Sequence, residues 1–138
     1  MNNERRTPRE FDWVTARSEC SLLKIFETLC LQLGQDVETR NLKRGERPFY
    51  KFDTARIPTA ITVFLDTPMV TGEAVRFSLT EHDITVTDSL GEVMFRAVPT
   101  LSGNDGGCRV KVNDQELELW QIRRMALEDL FFVKVKAQ

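Results

Sequence analysis

A single histidine, His82, is all the imidazole that this 138-residue chain offers. That scarcity alone removes most metal and acid–base constellations. Three cysteines, Cys20, Cys30 and Cys108, are an odd number at wide spacings with no C-x-x-C pair. Neither a zinc site nor a disulfide framework is therefore expected, and the cytosol is the default compartment. The chain also lacks a strong charge of either sign: its net charge of −2 gives no global case for nucleic acid or an anionic membrane. No apolar run approaches the roughly 18 residues that span a bilayer, so no membrane association is expected. Residues 1–8 contain no apolar core of a secretory signal. No glycine-rich phosphate cradle is present either, because Ser102-Gly103-Asn104-Asp105-Gly106-Gly107 has no following lysine and leads into a strand-like run. No cofactor is expected.

What the chain does have is an ordinary globular balance. Hydrophobic residues make up 41% and charged residues 29%, too apolar for wholesale disorder and well within reach of one packed core. Residues 1–10 are charged, carry Pro8 and read as a flexible tail. Residues 11–138 read as one α+β domain.

The first element predicted is a helix over residues 12–33. Asp12 or Thr15 supplies the N-cap, and Gly34 stands just past the end. Leu22, Leu23, Phe26, Leu29, Cys30 and Leu33 share its apolar face, with Lys24, Glu27, Thr28 and Gln32 opposite. On that phase Cys20 falls on the polar side. A charged connector over 35–48 follows, and then strand-like runs at 49–53, 60–66, 73–79, 83–87, 92–98 and 108–112. The turns between them are too short for parallel crossovers, so an antiparallel meander of five or six strands is expected.

Alternation divides the sheet into two faces. Val75, Phe77, Leu79, Ile84, Val86, Val93, Phe95, Ala97, Cys108, Val110 and Val112 fall on the side expected to meet the helices. Arg76, Ser78, Thr85, Thr87, Met94, Arg96, Arg109 and Lys111 fall on the other. The run from Ala60 to Leu65 is apolar on both sides and reads as an interior strand whose Phe64 reaches the far face.

The C-terminal stretch from Val112 to Phe132 carries most of the functional information. Asn113 and Glu116 read as a capping box, with Val112 and Leu117 as its hydrophobic staple. At about 100° per residue, Leu119, Ile122, Ala126, Leu130 and Val133 form one apolar stripe. Trp120, Leu127 and Phe131 form a second, set off from the first by Glu116 and Arg123. One stripe docks a helix on its own sheet. The second needs another surface, either a wider core with Arg123 snorkelling at its edge or a ligand or partner.

Candidate chemistries are each weighed against a plain structural role. Nucleophilic catalysis would have to join Cys108 or a serine to His82, with Asp83 orienting the ring. A tight turn around His82 and a core-facing Cys108 argue against it. The acid pairs (Glu81 and Asp83, Glu116 and Glu118, Glu128 and Asp129) are adjacent in sequence and expected to be solvated. Arg76, Arg96, Arg109 and Lys111 make the far sheet face basic, with Lys43, Arg44, Arg47, Lys51 and Arg56 in or near the preceding connector. Such a face suits an anion or single-stranded nucleic acid only if exposed aromatics join it, and Phe64, Tyr50 and Phe52 are the few available. Cross-strand ion pairing is the plainer account.

The expected architecture is thus an N-terminal helix, an antiparallel meander and a C-terminal helix, both helices on one sheet face. The expected function is a non-catalytic cytosolic interaction or small-ligand-binding domain. It acts through Trp120, Leu127, Phe131 and Arg123 and through the cavity between helices and sheet. Its partner is a second copy, another protein or a small apolar ligand. The rivals are an anion or nucleic-acid binder on the basic face and a small enzyme between helix and sheet. The sequence points away from catalysis.

Overall fold

The computed structural model describes residues 10–43, 51–66 and 72–134; the side chain of residue 134 is not described. Two helices, α1 (Trp13–Glu19) and α2 (Leu22–Lys43), precede seven strands. These are β1 (Phe52–Ile57), β2 (Ala60–Leu65), β3 (Ala74–Leu79), β4 (Ile84–Thr87), β5 (Val93–Leu101), β6 (Cys108–Val112) and β7 (Gln115–Leu117). Helix α3 (Leu119–Glu128) follows and widens into a π-helical turn over Asp129–Lys134. The strands form one sheet in sequence order, each antiparallel to the next. The expected α+β architecture is therefore present, with seven strands rather than five or six.

One buried cluster joins α2, the sheet and α3. Phe26, Leu29 and Leu33 of α2, Phe52, Val63, Phe77, Ile84, Val86 and Ala97 of the strands and Ile122 and Ala126 of α3 are almost wholly out of water. Both helices thus cover the same sheet face. Strand β5 is long because it serves two neighbours. Its first half pairs with β4 and its second half, from Val98, pairs with β6.

Several local expectations are corrected. The single N-terminal helix is two. Asp12 caps α1 by accepting from the Thr15 amide at 3.1 Å, and the chain turns at Cys20 and Ser21. Ser21 then caps α2, its hydroxyl accepting from the Lys24 amide at 3.2 Å. Cys20 therefore does not share the phase of α2, and instead of facing water it is 1% exposed. At its other end α2 passes straight through Gly34 to Lys43, so residues 35–43 are helix rather than connector. Glycine weakens a helix interior by about 1 kcal/mol. That cost is offset by burial of Val37 and by two tethers made in the extra turns. Asn41 donates to the Phe52 carbonyl at 2.9 Å and accepts from the Phe52 amide at 2.8 Å, clamping edge strand β1. Arg40 binds the end of α3.

The third correction is at Asn113. It caps no helix; with Asp114 it forms the two-residue loop between β6 and β7, at φ 51° and 66°. Asparagine and aspartate tolerate this left-handed region, and two such residues in a row make the turn that matches sheet twist. The helix starts five residues later, where Gln121 reaches back to accept from the Glu118 amide at 2.8 Å. Fourth, Val93 and Met94 exchange faces. The register slips between Val86 and Thr87, so that Val86 opposes Phe95 while Thr87 opposes Val93. The extra residue of this bulge turns Met94 towards Ala126 and Leu130 and leaves Val93 45% exposed on the open face. Strand β1 is also displaced, running over Phe52–Ile57 instead of 49–53; residues 49 and 50 of that expected strand lie outside the described residues, as do residues 1–9 of the expected tail and 44–48 of the connector.

Two cysteines are joined. Cys20, at the α1–α2 break, and Cys108, at the start of β6, form a disulfide across 88 residues of sequence. Parity places Cys108 on the helix side as expected, but it is exposed and bonded rather than a small buried thiol. Cys30 is the free cysteine, and burial pushes its thiol up from the ordinary range.

Candidate functional site

The C-terminal turns of α2 run beside α3, and their side chains frame an open groove of about 490 Å³. Asp36, Thr39, Arg40 and Lys43 contribute from α2. Trp120, Arg123, Arg124, Leu127, Glu128, Phe131 and Phe132 contribute from α3 and its extension. The i, i+4 spacing of a helix puts Trp120, Arg124, Glu128 and Phe132 on one ridge. Arg124 donates to Glu128 along it at 2.9 Å.

The second stripe of α3 is divided in kind. Leu127 and Phe131 are 3% and 6% exposed and belong to the core cluster, where the Phe131 ring lies 4.8 Å from that of Phe52. They form the floor of the groove. Trp120 and Phe132 remain 51% and 57% exposed and form its rim. Arg123 is committed to structure: its guanidinium donates to Asp36 at 2.6 Å and to Gln32 at 2.6 Å, locking α3 to α2.

Arg40 and Phe132 are the residues that sequence reasoning missed. Arg40 donates through Nε and Nη2 to the Phe131 carbonyl, at 3.1 and 2.9 Å. Its guanidinium lies 5.5 Å from the Phe52 ring centre and 5.1 Å from that of Phe132. Carbonyls in the last turn of a helix lack the regular partners of its interior, and Arg40 supplies donors to that of Phe131. Partial burial lowers the Arg40 pKa from its ordinary value. The signal was present in the phase of α2, where Leu33, Val37 and Arg40 lie along one line. It was hidden by reading Gly34 as a stop.

The rival basic face is assembled as alternation predicts, but much of its charge is answered. Arg96 lies 3.8 Å from Asp83 and Arg109 lies 3.1 Å from Asp105. Lys111 stands opposite Glu116 across the β6–β7 ladder. Arg76 is exposed, and Phe64 is the half-buried aromatic beside it. Of the connector cations, Arg56 is in β1 on the helix side, paired with Glu27 at 2.8 Å and stacked over Phe26. Arg44, Arg47 and Tyr50 lie outside the described residues. Phe52 is buried in the core and is no stacking platform.

For the enzyme reading, His82 lies in the β3–β4 turn with its side chain 87% exposed, and its charged neighbour is Glu81 at 3.9 Å. Cys108 is held in the disulfide, so no thiol nucleophile is available there. Among the described residues, no group of three or more His, Cys, Asp or Glu could hold a metal ion. No described helix is long and apolar enough to cross a membrane.

Fold and site together define an α+β meander domain with an aromatic groove between its two long helices. Comparison with protein-family models, curated proteins and solved structures finds no match to this chain.

Proposed function

We propose that the protein is a non-catalytic binding domain whose recognition surface is the α2–α3 groove. The observation that carries this reading is the pairing of a buried apolar floor, Leu127 and Phe131, with two half-exposed aromatics, Trp120 and Phe132, on its rim. Exposed aromatics beside an apolar floor cost solvation energy in the free protein and are the residues that most often anchor a complex. Leu127, Phe131 and Arg123 shape the surface, and Trp120 and Phe132 meet the occupant.

A cytosolic location followed from reduced cysteines. With Cys20 and Cys108 joined, that location requires the bond to form only under oxidation, since stable disulfides persist mainly in oxidising compartments. A thiol count on protein trapped in its native compartment decides between one free cysteine and three.

Native mass spectrometry on freshly purified protein tests the binding reading, because it registers a second copy and a retained small molecule alike. The expected result is a bound mass or a dimer for the natural chain and a bare monomer for the Trp120→Ser, Phe132→Ser double variant, at unchanged melting temperature. A natural chain that flies as a bare monomer, identical to the variant, would count against the groove as a binding surface.

A further inference from the structure

We infer that the occupant of the α2–α3 groove is a small apolar anion, an aromatic or aliphatic body carrying one carboxylate or sulfonate. This rests on the groove being a binding site, and it adds the chemistry of what fits.

The groove carries positive charge left over from its own ion pairs. Four cations line the groove (Arg40, Lys43, Arg123 and Arg124) against two carboxylates (Asp36 and Glu128). Both carboxylates are taken, Asp36 by Arg123 at 2.6 Å and Glu128 by Arg124 at 2.9 Å. Arg40 and Lys43 therefore have no carboxylate partner among the described residues, in a chain whose net charge is −2. Arg40 spends two of its N–H groups on the Phe131 carbonyl, which leaves the rest of its five donors without a protein acceptor among the described residues. That carbonyl and the flanking rings fix the guanidinium in place, so a ligand oxyanion would meet a preset fork rather than a mobile side chain.

Size and wall chemistry narrow the class. A volume of about 490 Å³ falls in the range that holds small molecules. Leu127, Phe131, Phe132 and Trp120 offer an apolar bed and two aromatic faces, which a fully hydrated inorganic anion would not use. An apolar body with one anionic end uses both halves.

Two probes with the same ring system separate these contributions: 8-anilinonaphthalene-1-sulfonate, and N-phenyl-1-naphthylamine, which lacks the sulfonate. In the Trp13→Phe background Trp120 is the remaining tryptophan, so energy transfer from it to the probe reports binding beside the groove. The sulfonate probe should bind about tenfold more tightly than the neutral one, given Coulomb energies at a half-exposed site, and added salt should narrow the gap. Lys43→Glu cancels the charge excess at an exposed position and should abolish the preference while leaving the neutral probe's affinity unchanged. Trp120→Ala, titrated by the probes' own emission on direct excitation, should weaken both probes.

Equal affinity for the two probes, sensitive to Trp120→Ala, would overturn the anion assignment and leave the groove a binding site for neutral apolar matter. Loss of neither preference nor affinity in Lys43→Glu would overturn it as well. If neither probe binds, the small-anion proposal fails, and the groove's role as an interaction surface is then judged by the native mass measurement alone.

Discussion

The two ends of the helical layer are held in opposite ways. At one end, α1 contributes no buried residue. It is fastened by the Cys20–Cys108 bond and by the Phe11 ring resting on Gly106. A Cβ at Gly106 would come within 2.6 Å of that ring, and its φ of +73° favours glycine. At the other end, α3 is fastened to α2 by buried side chains and by hydrogen bonds from Arg123 and Arg40. The first attachment is covalent and leaves α1 itself at the surface; the second is noncovalent and deep. Covalent closure stabilises chiefly by restricting the unfolded chain, whereas packing stabilises by removing apolar surface from water. The ends should therefore fail under different insults, and only the deep one can shape a groove.

The largest effect is expected at the packed end. Phe131→Ala removes a ring that sits against Phe52 and should cost about 3–5 kcal/mol in urea unfolding. A cost below about 1 kcal/mol would place Phe131 at a tolerant surface and make the two ends alike.

Next comes the covalent end. The Cys20→Ser, Cys108→Ser double variant should lose about 2–4 kcal/mol, with amide exchange rising over Trp13–Glu19 and unchanged over Leu119–Glu128. Denatured, non-reduced protein should titrate one free thiol, that of Cys30. Three free thiols under non-reducing purification would dissolve the contrast between the ends.

The smallest expected effect sharpens the role of α2, the strut that both ends share. Gly34 is helical and exposed, and a methyl group added there would meet nothing within 4 Å. Gly34→Ala should therefore stabilise by about 0.5–1 kcal/mol and bind probes unchanged. Destabilisation would mean that the helix bends at Gly34 and that the second half of α2 is placed by α3 rather than by its own backbone.

Reading the residues in order recovered much of this architecture, and the misses share a cause. The apolar face of α2 from Leu22 to Leu33, apart from the exposed Leu23, was legible, as were the alternating strands and the Ile122, Ala126, Leu130 stripe, though Val133, expected to continue that stripe, is exposed. Each missed feature involves one residue type that serves two purposes equally well. Glycine both ends helices and is tolerated inside them, so Gly34 concealed about two and a half further turns. Asparagine both caps helices and turns hairpins, so Asn113 was assigned to the wrong element. Alternation assumes one residue per partner, so a bulge at Met94 reversed two faces without leaving a mark in the pattern. The candidate site was legible on the α3 side only. Trp120, Leu127 and Phe131 showed their periodicity, whereas Arg40 and Lys43 were read as connector.

By itself the sequence determined what depends on near neighbours: helical stripes at three and four residues, strand faces at two, and hence an antiparallel meander flanked by helices. These rules act within a turn or a hairpin and need no knowledge of the rest of the chain. The tertiary structure alone decided the bond between Cys20 and Cys108, the hold of Arg40 on Phe131 and that of Arg123 on Asp36. Those partners are 88, 91 and 87 residues apart. Nothing local distinguishes them from other cysteines, arginines and acids. They meet because the sheet brings its first strand and its last beneath the same helix layer, and the groove exists only where α2 and α3 come to lie side by side.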